Sequence, residues 1–326
     1  MTVIVGGIIQ TACYNYWQMF ISRIIAGIGV GISTVAVPIL QSETLPARNR
    51  GAMLVIQSGL INTGVALASW ISFGCLFTDS SAQWRIPIAM QLVFSAIVLA
   101  ACLFIPETPR WLASKGRNDE ARAVIAQLAD TSVDDKLVDG QLQEIVENIR
   151  TQSQNKTSMA DTFRNKTPMR NLQRVCLGLG PYMMNQWSGI NAITYYMTYT
   201  LQNYLGYERN MALILASVAF TQYAAFSFPP YFFIDRIGRR WTIMASSMAC
   251  SICLFVIAGC LINQTFSSAA AAVAFMFFFV DSFGMGILPV SWSYSSEIQP
   301  LNTRNTANSV GVCGHWLSNF VVVLGK

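Results

Sequence analysis

The sequence predicts an all-α polytopic membrane protein, and three observations carry that expectation. Of 326 residues, 53% are hydrophobic and only 11% charged, whereas a soluble globular chain carries about a quarter charged residues. The apolar residues fall in blocks such as 52–77, 211–234, 241–262 and 306–325, each near the ~20 residues a helix needs to cross a bilayer core. The basic residues are segregated as well. Arg48 and Arg50, then Arg110 through Arg174, then Arg236, Arg239 and Arg240, then Arg304 occupy alternate loops, against little beyond Arg85 and Arg209 in the others. An excess of Lys and Arg marks cytoplasmic loops. The net charge of +5 is thus a matter of topology, and no nucleic-acid partner is expected.

Nine spans are expected, near residues 2–13, 19–40, 52–77, 87–105, 175–203, 211–234, 241–262, 270–296 and 306–325. The first lacks the basic leader of a signal peptide and reads as a helix entered partway, exiting the cytoplasm. The longest polar stretch, 106–174, separates spans four and five. Ala121, Ile125 and Leu128 share one face there, and Leu137, Leu142, Ile145 and Ile149 follow, a pattern of short amphipathic cytoplasmic helices. The eight cysteines lie in or beside apolar blocks. Cys250 and Cys253 have the spacing of a metal or redox pair, but in a continuous apolar helix they read as small packing residues. No metal and no cofactor is expected.

An internal repeat refines the topology. Ser42-Glu43-Thr-Leu-Pro46-Ala-Arg48-Asn-Arg50 and Ser296-Glu297-Ile-Gln-Pro300-Leu-Asn-Thr-Arg304 share Ser-Glu-x-x-Pro-x-x-x-Arg, each where a span meets the cytoplasm. Parallel halves with corresponding helix ends are a transporter pattern. The copies stand six spans apart, so the repeat unit predicts twelve spans, with two absent before Met1 and one after Lys326. Glu43 with Arg50, Glu107 with Arg110, Asp235 with Arg239 and Arg240, and Glu297 with Arg304 place acid beside base at span ends. Directional Arg–carboxylate forks of this kind suit a latch that closes the cytoplasmic side; taken singly, each pair reads equally as snorkelling charge.

Pro106-Glu107-Thr108-Pro109-Arg110-Trp111-Leu112, Asp235-Arg-Ile-Gly238-Arg239-Arg240, Arg23-Ile-Ile-Ala-Gly27-Ile-Gly29-Val-Gly31 and Gln186-Trp-Ser-Gly189-Ile-Asn191-Ala-Ile-Thr-Tyr195-Tyr196 resemble the sugar-porter branch of the major facilitator superfamily, in wording closest to fungal members. The resemblance runs the length of the chain. It implies a major facilitator fold with about nine of twelve helices present. Residues 1–105 would be a partial N-terminal bundle of family helices three to six, 106–174 a cytoplasmic loop, and 175–326 a C-terminal bundle of helices seven to eleven.

A sugar offers hydroxyls and apolar ring faces, so its site needs neutral amides and flat aromatics. Gln186, Asn191, Tyr195 and Tyr196 supply them around Gly189, with spacings that keep the amides and one tyrosine near one helix face; amides also glue helices together. The resemblance makes Gln186, Asn191 and Tyr195 or Tyr196 sugar contacts. Trp292 follows Gly286 and Pro289, which weaken a span so that an indole can close over a sugar face. Trp316 and Asn319 resemble the family's further contacts, as does Gln57 or its neighbour Ser58.

The chain departs from the family pattern at three positions. Asn185 replaces a Gln, Ser291 a Pro, and His315, the single histidine, replaces an Asn. His315 reads either as a titrating group or as a neutral substitute for the amide. Arg23, inside a span, needs a carboxylate partner, which in proton-coupled members lies on a family helix absent here. Asp281 is the other charge within a span, structural or coupling. The expected function is transport of a hexose-like monosaccharide, coupled to protons, by a plasma-membrane monomer. Alternatives are a transporter-like sugar sensor or an inactive truncated product. One histidine and no nucleophile–base or metal-ligand spacing argue against an enzyme.

Overall fold

The computed structural model describes residues 1–44, 50–154, 171–262, 265–299 and 304–324. Its helices are α1 (Thr2–Thr11), α2 (Tyr16–Thr44), α3 (Arg50–Cys75), α4 (Ala82–Cys102), α5 (Pro109–Ser114), α6 (Asn118–Ala129), α7 (Lys136–Gln154), α8 (Asn171–Trp187), α9 (Ile190–Asn203), α10 (Arg209–Phe226), α11 (Pro230–Ile237), α12 (Arg239–Ile262), α13 (Phe266–Ser282), α14 (Leu288–Glu297) and α15 (Arg304–Leu324). A π-helical turn, Phe283–Ile287, joins α13 to α14. The described residues contain no strand.

Among the described residues, six helices are long and apolar enough to cross a membrane, or seven if α10 and α11, bent by 50°, form one span. Nine were expected. The other two segments are α1, with only 10 residues, and the stretch 175–203, which is not one helix. It breaks after Trp187, and Gly189 opens α9 at φ +89°, a conformation that a residue with a Cβ rarely adopts. The α10–α11 bend falls where Pro229 and Pro230 follow Ser227, proline being unable to continue the hydrogen-bond ladder.

The helices divide between two compact units. One contains α1, α2, α4 from Ile88 onward, and α5 to α7. There, α1 and α2 pack backbone to backbone: a Cβ on Gly6 would lie 2.7 Å from the Ala26 nitrogen, the close approach that small residues permit between membrane helices. Gln10 is buried at this junction, donating to the Ser22 carbonyl at 3.4 Å and accepting from Gln91 at 3.2 Å. No residue of α4 is buried; Val93, Phe94, Ile97 and Val98 face outward, as suits a lipid-facing span.

The same unit carries the polar loop. Thr108 caps α5 by accepting from the Trp111 N–H at 3.3 Å, with Pro109 at the first helical position, a favoured start. Leu112, Ala121, Val124, Ile125, Ala126, Val138 and Leu142 form a buried cluster among α5, α6 and α7. The expected faces are right for Ala121, Ile125 and Leu142, but Leu128 and Leu137 are half-exposed. Arg122 and Asp139 pair across α6 and α7 at 2.5 Å.

The second unit contains α3 from Gly51 onward, α4 up to Pro87, α8 from Gln173 onward, α9 to α14, and α15 from Thr306 onward. Its largest core joins α9, α10, α12 and α13 through Met197, Phe220, Tyr223, Cys250, Cys253, Met276, Phe279 and Phe283. The two cysteines are packing residues, Cys250 donating its thiol to the Phe279 carbonyl at 3.8 Å. Asn62 and Ser69 of α3 bond to Ser227 at 2.6 Å and to Ser217 at 2.8 Å, joining α3 to α10 and the bend that follows it.

Candidate sugar site

The break at Gly189 builds the centre of the site. It ends α8 one residue after Gln186 and starts α9 one residue before Asn191. The two amides, both buried, therefore meet across a helix junction rather than along one helix face. Asn191 donates through Nδ2 to Gln186 Oε1. Gln186 Nε2 in turn lies 2.6 Å from His315 Nε2 and 3.2 Å from His315 Nδ1. Three polar side chains from α8, α9 and α15 thus form one buried chain.

Aromatic rings pack beside it. Trp292, on α14 just beyond the π-turn, stands edge-on to Tyr182 with centroids 5.0 Å apart, and tilted to His315 at 5.3 Å. Trp316 stands edge-on to His315 with centroids 5.6 Å apart. Tyr182 is almost completely buried and donates its hydroxyl to Asn308 Oδ1 at 2.9 Å. Its ring lies against α15 where Gly311 has no side chain; a Cβ there would come within 2.7 Å of it. Neither Tyr182 nor Asn308 was singled out in the sequence. The available signal was a phenol four residues before Gln186 in an apolar stretch, on the same helical face.

Of the two candidate tyrosines, Tyr195 is the one joined to Asn319, accepting from its Nδ2 at 3.4 Å; Tyr196 is half-buried. Trp316 is partly exposed. Ser291, where the family has proline, is buried and donates to the Ile287 carbonyl at 2.6 Å. Asn185 is also buried, and its Nδ2 has no partner among the described residues. On α3, the Ser58 hydroxyl is satisfied by the Leu54 carbonyl at 2.9 Å, whereas the buried Gln57 Oε1 has no partner among the described residues. Gln57 is the freer of that pair, and it makes no hydrogen bond to the Gln186 group.

The residues expected to form a latch are brought together in part. Arg239, at the start of α12, donates to Asp235 at 2.6 Å and to Glu297 at 3.0 Å. Arg240 takes no part in those bonds. Glu43 is half-buried near the end of α2. Arg50 and Arg304 open α3 and α15, but their side chains lie outside the described residues, as do Arg48, Pro300 and the sequons at Asn155 and Asn165. Glu107 and Arg110 flank the Thr108 cap. Glu120, bonded to Arg117 at 2.6 Å, and secondarily Glu107, hold the Arg117 guanidinium above its ordinary value.

Of the coupling candidates, Arg23 is exposed on α2, and no described carboxylate forms an ion pair with it. Asp281 is buried on α13. Gln222 of α10 donates to its Oδ2, and its Oδ1 has no partner among the described residues. No group of three or more His, Cys, Asp or Glu side chains is gathered for a metal among the described residues.

A family profile described as "Sugar (and other) transporter" matches residues 1–325. Sugar transporter STL1 of Saccharomyces cerevisiae is 31% identical over 98% of this chain and 57% of its own length. MFS-type transporter oryC of Aspergillus oryzae is 35% identical over 98% of this chain and 60% of its own. The chain therefore spans somewhat under two-thirds of these relatives. The solved proton:xylose symporter XylE, bound to 6-bromo-6-deoxy-D-glucose, superposes with a TM-score of 0.83 at 22% identity, over 98% of this chain and 69% of that one. The fold is that of the major facilitator proteins.

Proposed function

Because the chain belongs to the Sugar (and other) transporter family, we propose that it carries a hexose-like monosaccharide across the membrane by alternating access, together with a proton. The observation that carries this reading is the buried chain Asn191–Gln186–His315 set against Trp292. It pairs neutral hydrogen-bonding groups with a flat apolar ring, which are the two things a sugar demands. Tyr195 with Asn319, then Trp316, and Gln57, whose carbonyl oxygen has no partner among the described residues, extend the contacts available to hydroxyls.

Binding alone moves nothing; the two halves must rock about the site. Arg239 with Asp235 and Glu297 is the described part of a cytoplasmic latch, which Glu43, Arg50, Glu107, Arg110, Arg240 and Arg304 would complete. For the proton we favour Asp281 over Arg23. Asp281 is a buried carboxylate that accepts from the Gln222 amide, and its second oxygen has no partner among the described residues. In this reading the protein is a monomer in the plasma membrane, with 106–174 in the cytoplasm between bundles 1–105 and 175–326, and it catalyses no reaction and needs no cofactor.

The test is uptake of radiolabelled monosaccharides by cells that lack their own sugar transporters, with and without an uncoupler. Accumulation that collapses with the uncoupler is expected. Sugar binding without uptake under any gradient would instead describe a sensor, and neither binding nor uptake would overturn the sugar site.

A further inference from the structure

The buried chain of amides has a direction, and His315 sets it. Gln186 Oε1 accepts from Asn191, so the Gln186 group facing His315 is the NH2, a donor only. This NH2 lies 2.6 Å from His315 Nε2 and 3.2 Å from Nδ1, and it is satisfied there when one ring nitrogen accepts, which only the neutral ring provides. Asn191, having turned its NH2 to Gln186, has its carbonyl Oδ1 left over. A protonated His315 presents only donors, so Gln186 would have to turn Oε1 toward it and NH2 toward Asn191. Asn191 would then turn in its place, leaving its NH2 outward. One proton at His315 thus converts the outward edge of Asn191 from acceptor to donor.

Nothing charged competes for that role. Among the elements against His315, α8 has Arg174 as its only charged residue, thirteen positions from Trp187; α9 has none; α14 has Glu297 alone, which is held by Arg239. On α15 itself the only charge is Arg304, eleven positions away. The other titratable side chains on these elements are Cys176 and Tyr182 of α8, Tyr195, Tyr196 and Tyr199 of α9, Tyr294 of α14 and Cys313 of α15; Tyr182 is bonded to Asn308 and Tyr195 to Asn319.

We propose that His315 is a specificity-determining positioning residue: in its neutral form it orients the Gln186 and Asn191 amides so that Asn191 offers an acceptor to one donating sugar hydroxyl. This rests on the sugar-transport reading above and goes beyond it, since it assigns the polarity of the site to the one residue that replaces the family's amide.

The probes are D-glucose and its monodeoxyfluoro analogues, one for each hydroxyl. Fluorine fills the space of a hydroxyl but cannot donate. Equilibrium binding to the purified full chain, followed by tryptophan fluorescence, should show one analogue binding about tenfold weaker than glucose near neutral pH, the value of one lost hydrogen bond. That ratio should fall toward one as the pH is lowered and His315 gains its proton. In His315→Asn, which keeps an acceptor but does not titrate, the ratio should stay flat with pH, and His315→Gln provides the same test if the first variant does not fold. A wild-type ratio that does not move with pH, or variants that follow the wild-type profile, overturns the proposal. If glucose and every other monosaccharide fail to bind at any pH, the sugar reading itself falls and takes this inference with it; binding with a flat ratio removes this inference alone.

Discussion

Arg239 donates to Glu297 at 3.0 Å while gripping Asp235 at 2.6 Å, so one guanidinium ties the start of α12 to both the end of α11 and the end of α14. Exposed pairs of this sort contribute at most about 1 kcal/mol to stability. If the fork is a latch, its effect belongs in turnover. Glu297→Gln should leave the melting temperature nearly unchanged and slow the maximal uptake rate about fivefold to tenfold, the share of a coupling energy near 1–1.4 kcal/mol. Arg239→Lys should slow uptake to a similar extent, because an ammonium cannot fork to two carboxylates. Unchanged uptake in both variants would reduce the pair to surface charge.

Gly189 at φ +89° is the hinge point between Gln186 and Asn191. Gly189→Ala should cost about 1–3 kcal/mol of backbone strain. Relief of that strain would pull the two amides apart. Sugar affinity should fall by more than the loss in thermal stability accounts for. Equal affinity in the variant, measured by titration, would show that the amides meet without help from the glycine.

Tyr182→Phe removes the donor to Asn308 and leaves a buried carbonyl oxygen unpaired. Within membranes such bonds average below about 1 kcal/mol, so a small drop in detergent melting temperature is expected. The ring that supports Trp292 and His315 remains, and the change in sugar affinity should stay under about threefold. Tyr182→Ala, which deletes the ring itself, should abolish measurable binding. Similar affinities for both variants would separate Tyr182 from the site.

Asp281→Asn keeps the shape and the bond from Gln222 while removing the charge. Its expected result is a folded protein that exchanges sugar down a gradient but no longer concentrates it when the outside is acidified. Accumulation equal to that of the parent would return Asp281 to a structural role.

The helix-rich membrane fold was legible because apolar length and the placement of arginine are averages over many residues, robust to local detail. The aromatic and amide types at Gln186, Asn191 and Trp292 could be chosen from what a sugar needs, whereas His315 stood out only as a departure from the family pattern. Their meeting could not be read from helical spacing, because that arithmetic assumes an unbroken helix. Gly189 breaks the helix between Gln186 and Asn191, and the two amides meet across that break. Tyr182 and Asn308 escaped notice because their bond spans 126 positions in sequence; neither residue is unusual alone. The pairing of Asp281 with Gln222 was hidden in the same way. The carboxylate was conspicuous in an apolar span, but its neutral partner was one amide among many.

The π-turn at Phe283–Ile287 holds one more residue per turn than an α-helix, and so works as a single-residue insertion. Every position after it is rotated by about 100° relative to an uninterrupted helix. Trp292 owes its place beside Tyr182 and His315 to that offset. Deleting one residue within the turn would let the segment anneal into a regular helix of nearly the same length and hydropathy, with the indole swung toward another face. Transplanting residues 288–297 into a related protein therefore moves the site's aromatic wall only if the irregular turn travels with it.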